Sequence, residues 1–155
     1  NQTRLGFAAN NNINLRKARG RYLMLLNDDV LVQPGAIDRA IEYLEGHPEV
    51  GMVACHMISP DGTTQRTSGR RLDTLWTSFW GETPLAYRFP TYPFFGTSCI
   101  RSGQAFLQDV DLGQESGLML RRELLLRVGY LDERFFMFGE GPDWCQYHLP
   151  NGQGQ

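Results

Sequence analysis

Two acidic pairs carry the chemistry that this chain could perform. Asp28 and Asp29 follow Asn27 directly after an apolar run at 22–26. A short apolar run bounded by Gly20 and by Asn-Asp reads as a buried strand, and open α/β sheets bind ligands beyond the carboxyl ends of such strands. Two adjacent carboxylates there, with few cationic neighbours in sequence, suit a hard divalent cation, Mg²⁺ or Mn²⁺, held by oxygen donors and substrate phosphates. An Asp-rich turn capping the next helix would use the same residues. Glu140 and Asp143 form the second pair, three residues apart at an expected helix start. Positions i and i+3 share a helix face, so both carboxylates could enter one cleft and serve as general base toward an acceptor hydroxyl. Helix capping, which the dipole favours for acids, is the alternative.

The remaining reactive side chains make no third constellation. His47, His56 and His148 share no motif spacing; His47 reads as a surface residue at a helix end, and His148 lies near the second acidic pair. There is no nucleophile elbow, P-loop or dinucleotide-binding glycine fingerprint. The basic pairs at 70–71 and 121–122 read as solvated surface, with anion contact as the alternative.

The elements that must position the acids follow from apolar spacing. A short helix is expected over 11–19, with Gly20 as its left-handed C′ residue. The strand at 21–27 comes next. Pro34 sits where a helix begins, and Ala36, Ile37, Ala40, Ile41 and Leu44 make one apolar stripe that Gly46 and Pro48 end. A second strand is expected over 50–57, then a turn at 60–63. Helix, strand, helix, strand in this order implies an α/β unit with parallel strands. Periodicity dissolves over 66–108, a length that marks either a functional loop or a poorly ordered insertion. A strand is expected over 110–120, with Gly113 and Gly117 inside it as points of bulging or close approach. A helix at 121–128, ended by Gly129, and a terminal helix with Pro142 in its first turn complete the pattern.

Composition narrows the classes. The 155 residues suit one domain, and 41% hydrophobic residues suffice for a core. A formal charge of −2 speaks against a nucleic-acid or anionic-membrane partner. The 17 glycines and 8 prolines imply many loops. Cys55, Cys99 and Cys145 are odd in number and widely spaced, unlike a disulfide framework or zinc site, which fits a reducing compartment. The longest apolar run is far short of the ~20 residues of a membrane span. Asn1 in place of Met and the polar tail at 151–155 suggest a fragment cut at both ends.

Several motifs in order resemble family 2 glycosyltransferases of the GT-A fold, in their bacterial rhamnosyltransferase-like branch. They are GFAANNN at 6–12, ARGRYLMLLNDDV at 18–30, PG at 34–35, HPEVG at 47–51, PDG at 60–62, SGLMLRRE at 116–123, VG at 128–129, LDERFFM at 131–137 and GE at 139–140. The resemblance implies a partial domain over 1–155: a doubly wound, mixed α/β sheet with flanking helices, N-terminal strands missing, and 66–108 as an irregular acceptor-side region. It implies inverting transfer of a sugar from a nucleotide-sugar donor to a glycan or lipid-linked acceptor, in cell-surface polysaccharide or glycoconjugate synthesis. It places Asp29, then Asp28, on the Mg²⁺ or Mn²⁺, Asn11 and Asn12 near the nucleotide, and Ser116 and Gly117 on the sugar and acceptor cleft. The family reads Glu-Asp-x-Asp near its end, the first Asp acting as base. Gly141 stands at that position here, leaving Glu140 and Asp143 as the available acids. A cytoplasmic place, including the inner face of the cell membrane, is implied, with membrane contact only through missing regions. A non-catalytic nucleotide- or sugar-binding relative is the alternative, and a plain metal-binding or interaction module a further one.

Overall fold

The computed structural model describes residues 5–72, 74–81, 83–89, 91–92, 109–136 and 139–148. The stretch at 93–108, with Cys99, lies outside them, as do Met137 and the tail at 149–155. The chain forms two compact units, one of 1–55 with 115–155 and one of 56–114.

The first unit is built on three strands: β1 (Tyr22–Leu26), β2 (Met52–Ala54) and, later in the chain, a strand at Gly117–Arg121. That last strand is the middle one and is antiparallel to both neighbours. Two strands each antiparallel to a third point the same way, so β1 and β2 are parallel in direction, as the helix–strand order implies. They are not neighbours, however, because the returning strand enters between them and makes the sheet mixed.

Alternation along the strands assigns the faces. Leu23 and Leu25, Leu118 and Leu120, and Met52 and Ala54 share one apolar cluster. Tyr22, Met24, Met119 and Val53 belong to the other. Side chains of a strand alternate between faces, so the two clusters lie on opposite sides of the sheet. Ala40 and Leu44 of α2 (Ala36–Gly46) cover the second face. Ala8 and Leu15 of α1 (Phe7–Lys17) cover the first, with Leu125, Leu131 and Trp144 from later elements. The result is three layers, helix on sheet on helix. Each of these fully buried leucines contributes roughly 1.5–3 kcal/mol of transfer free energy.

The second unit supplies the elements between the two halves of the first. Ile58 bridges Thr64 across the turn expected at 60–63. There the Asp61 carboxylate accepts from Thr63 N at 2.9 Å and from Thr63 Oγ1 at 2.7 Å. A 3₁₀ turn at Arg66–Ser68 leads into β3 (Gly69–Arg70), which pairs antiparallel with β4 (Leu112–Gly113). Between these strands lie α3 (Leu75–Gly81) and α4 (Pro84–Arg88). Thr83 caps α4, accepting from Ala86 N, with Pro84 at the helix start. The region expected to be irregular thus carries short helices within its described part.

The first unit resumes with β5 (Gly117–Arg121), α5 (Arg122–Val128) and α6 (Glu140–His148). Several expectations need correction. The single strand expected over 110–120 is two, and Gly113 and Gly117 mark a strand end and a strand start rather than bulges. Gly20 is not a left-handed C′ residue: α1 closes at Ala18, whose N–H donates to Asn14 O, and Gly20 is absent from the glycines of positive φ. A Cβ at Gly20 would lie 2.8 Å from Tyr22 O, so glycine is needed there for close approach. Arg121 is not solvated surface. Its guanidinium donates to Val50 O at 2.8 Å, to His47 O at 3.2 Å and to Leu44 O, a cation set at the carbonyl end of α2.

Candidate active site

The acid turn stands where the strand reading puts it. Leu26 ends β1, and Asp28 and Asp29 form the following turn, closed by Val30 N donating to Asn27 O at 3.3 Å. Both acids are exposed. The register then brings the second half of the sequence beside them. Leu26 is opposite Gly117, so the end of β1 and the start of β5 share one end of the sheet. Ser116, buried, precedes Gly117 there, and Cys55 N donates to Gly117 O at 2.7 Å, placing the end of β2 at the same edge. Burial pushes the Cys55 thiol above its ordinary pKa, so it remains a thiol at neutral pH.

The start of α6 reaches the same end of the sheet through Glu115. Gly141 is buried, and a Cβ placed on it would overlap the Glu115 carboxylate, with Glu115 Cγ 2.8 Å away. The space of the missing side chain at 141 is therefore filled by an acid from the turn before β5. Glu140, next to it, is 2% exposed, and its Oε1 has no hydrogen-bond partner among the described residues. Asp143 is half-buried one turn on, with its N–H donating to Gly139 O at 3.0 Å. Trp144 anchors the helix: it is 1% exposed and its indole N–H donates to Gly129 O at 3.1 Å. The first turn of α6 is thus fixed by an apolar core, with Glu140 buried beside Gly141.

The two asparagines of α1 part company. Asn12 is 1% exposed, its Nδ2 donating to Leu131 O at 2.8 Å and Glu133 Oε1 at 2.9 Å, and its Oδ1 accepting from Leu131 N at 3.1 Å. It binds the 131–133 loop rather than facing a ligand. Asn11 donates to Phe7 O at 3.0 Å and lines a groove of about 370 Å³ with Asn14, Leu15 and the length of β1. Close approach also explains Gly6: a Cβ there would stand 2.9 Å from Phe136 Cα, and Phe7 N donates to Phe136 O at 2.9 Å. The GFAANNN and LDERFFM motifs are therefore two sides of one contact. His47 stacks on Tyr43 with ring centroids 4.1 Å apart, and His56 pairs with Thr64 Oγ1 at 3.0 Å. The His148 side chain lies outside the described residues.

Asp28 and Asp29 offer oxygen donors of the kind a hard cation takes. Among the described residues no group of three His, Cys, Asp or Glu side chains gathers as a metal cage. Two carboxylates completed by substrate phosphates and water are a usual setting for Mg²⁺, so the donor set fits such an ion. No helix among the described residues is long and apolar enough to cross a membrane.

Comparison with known proteins places this arrangement in a class. The profile described as Glycosyl transferase family 2 matches residues 1–110, and the chain belongs to that family. It is 30% identical over 138 residues to O-antigen biosynthesis protein RfbC of Myxococcus xanthus, covering 86% of this chain and 10% of that protein. It is 26% identical over 143 residues to N-acetylglucosaminyl-diphospho-decaprenol L-rhamnosyltransferase of Mycobacterium tuberculosis, covering 85% of this chain and 45% of that protein. The chain spans less than half the length of these relatives. No solved structure matches it significantly. The mixed α/β sheet with helices on both faces is the architecture expected of a GT-A-like fragment.

Proposed function

We propose that the chain is part of an inverting glycosyltransferase acting in cell-surface polysaccharide or glycoconjugate synthesis. The observation that carries this reading is the pairing of Leu26 with Gly117, which brings the Asp28–Asp29 turn to the sheet end that also holds Ser116 and the start of α6. Asp29, with Asp28 second, would hold Mg²⁺ or Mn²⁺. When bound, such an ion supplies charge neutralisation for a departing nucleoside diphosphate. Ser116 and Gly117 line the cleft for sugar and acceptor, and Asn11 faces the nucleotide side. A carboxylate of the group around Gly141, where the sequence offers Glu140 and Asp143 and the fold adds Glu115, takes the acceptor proton.

The relatives' names direct the first substrates. L-Rhamnose is the sugar to try first, and a lipid-diphosphate-linked N-acetylglucosamine the acceptor. A cytoplasmic site at the inner membrane face, where such a lipid acceptor would be met, belongs to the same reading. The second reading, a nucleotide- or sugar-binding relative without turnover, draws on Gly141. The full chain should be incubated with Mn²⁺, that acceptor and nucleoside-diphosphate sugars, rhamnose first. Glycosylated acceptor is the expected product; donor binding without any transferred sugar would favour the second reading.

A further inference from the structure

We propose that Glu115 is the catalytic base of this chain, an inference that rests on the transferase reading above. Position 141, in the first turn of α6, has no side chain, and the Glu115 carboxylate lies in the volume that one would occupy. The two parts come from different elements, the turn before β5 and the start of α6, so the acid is supplied across the fold rather than along the helix.

Its place sets Glu115 apart from the other acids of the region. Glu140 is 2% exposed, too deep to meet a hydroxyl arriving from solvent, whereas Glu115 is half-buried and reachable. Asp143 lies one turn further along α6. Glu115 stands two residues before Gly117, the residue paired with the last residue of β1, so it shares the sheet end with the acid turn. Glu140 Oε1, next to Gly141, is buried and has no hydrogen-bond partner among the described residues.

In the proposed step the acceptor O–H gives its proton to the Glu115 carboxylate. The freed oxygen pair forms the new bond to the anomeric carbon, and the bond from that carbon to the diphosphate breaks with its electrons going to the diphosphate oxygen. A positioned base contributes about 100- to 10,000-fold. In the full chain, Glu115→Gln should lower kcat about 100-fold or more while donor KM and the melting curve stay near wild type. Glu115→Ala should be equally slow and recover at least about 10-fold when Gly141→Asp is added or when formate is supplied, neither of which a merely structural role would produce. Wild-type kcat in Glu115→Gln, or no recovery by either route, overturns the assignment. Absence of transfer by the wild-type chain with every donor would instead overturn the transferase reading itself.

Discussion

The acid turn after β1 and the acid group at the start of α6 share one end of the sheet but live in different surroundings. Asp28 and Asp29 are exposed, and nothing in the core depends on them. Glu140 is almost fully buried, Gly141 is packed under Glu115, and Trp144 below them belongs to the main apolar cluster. An exposed carboxylate pair offers oxygen donors to a cation and the phosphates that come with it. A buried carboxylate oxygen without a partner costs free energy and is tolerated where its chemistry is used. One region is thus suited to charge, the other to a proton, and the sheet register places them side by side.

Substitutions in each region should separate these roles. Asp29→Ala should lower Mn²⁺- or Mg²⁺-dependent transfer about 1,000-fold, in the range of lost transition-state charge stabilisation, while leaving the urea midpoint unchanged. Unchanged turnover would remove the acid turn from the chemistry. Trp144→Ala should cost about 3–5 kcal/mol in chemical denaturation, because it empties the core beneath α6 and frees Gly129 O. A loss under about 1 kcal/mol would show that the helix start is not held from below. Glu140→Gln should lower kcat about 10-fold yet leave the fold no less stable, since Glu140 Oε1 has no hydrogen bond among the described residues for the substitution to remove. A clear drop in melting temperature would mean that Glu140 holds the structure rather than serving the site.

The smallest effect belongs to a third exposed acid. Hydrogen bonds from the side chain and backbone of Thr63 hold the Asp61 carboxyl below the ordinary carboxylate range. The folded value is depressed, so its stabilisation is complete above the usual carboxylate value and disappears as pH falls through the lowered one. Amide exchange at Thr63 should therefore quicken, relative to its intrinsic rate, only in that acid range. Insensitivity to pH would show that Asp61 is no more tied to its turn than Asp28 is to its own.

Local pattern made β1, α2 and α5 legible, because each needs only its own spacing of apolar residues and an end signal. The acid turn followed from the strand before it. What local reading missed is carried by pairs far apart in the chain. Asn12 looks like any polar residue of the NNN run until Leu131 comes to it, 119 positions away. Arg121 looks like half of a surface basic pair until the end of α2 comes to it, with Leu44 77 positions away. Glu115 has no motif of its own; only the overlap with Gly141 singles it out. The odd glycine in the expected acid motif was the signal available in sequence, and it pointed to a gap without naming what fills it. The order of strands was missed for the same reason: β5 enters between β1 and β2 from the far half of the chain, a choice that apolar periodicity does not encode.

The most direct measurement is Mn²⁺-dependent binding of a nucleoside diphosphate to the full chain, by titration calorimetry, in wild type, Asp29→Ala and Glu115→Gln. If the acid turn handles charge and the α6 region the proton, Asp29→Ala removes the Mn²⁺ dependence while Glu115→Gln binds like wild type and only fails to turn over. Equal loss of Mn²⁺-dependent binding in both variants would contradict the division of labour between the two regions.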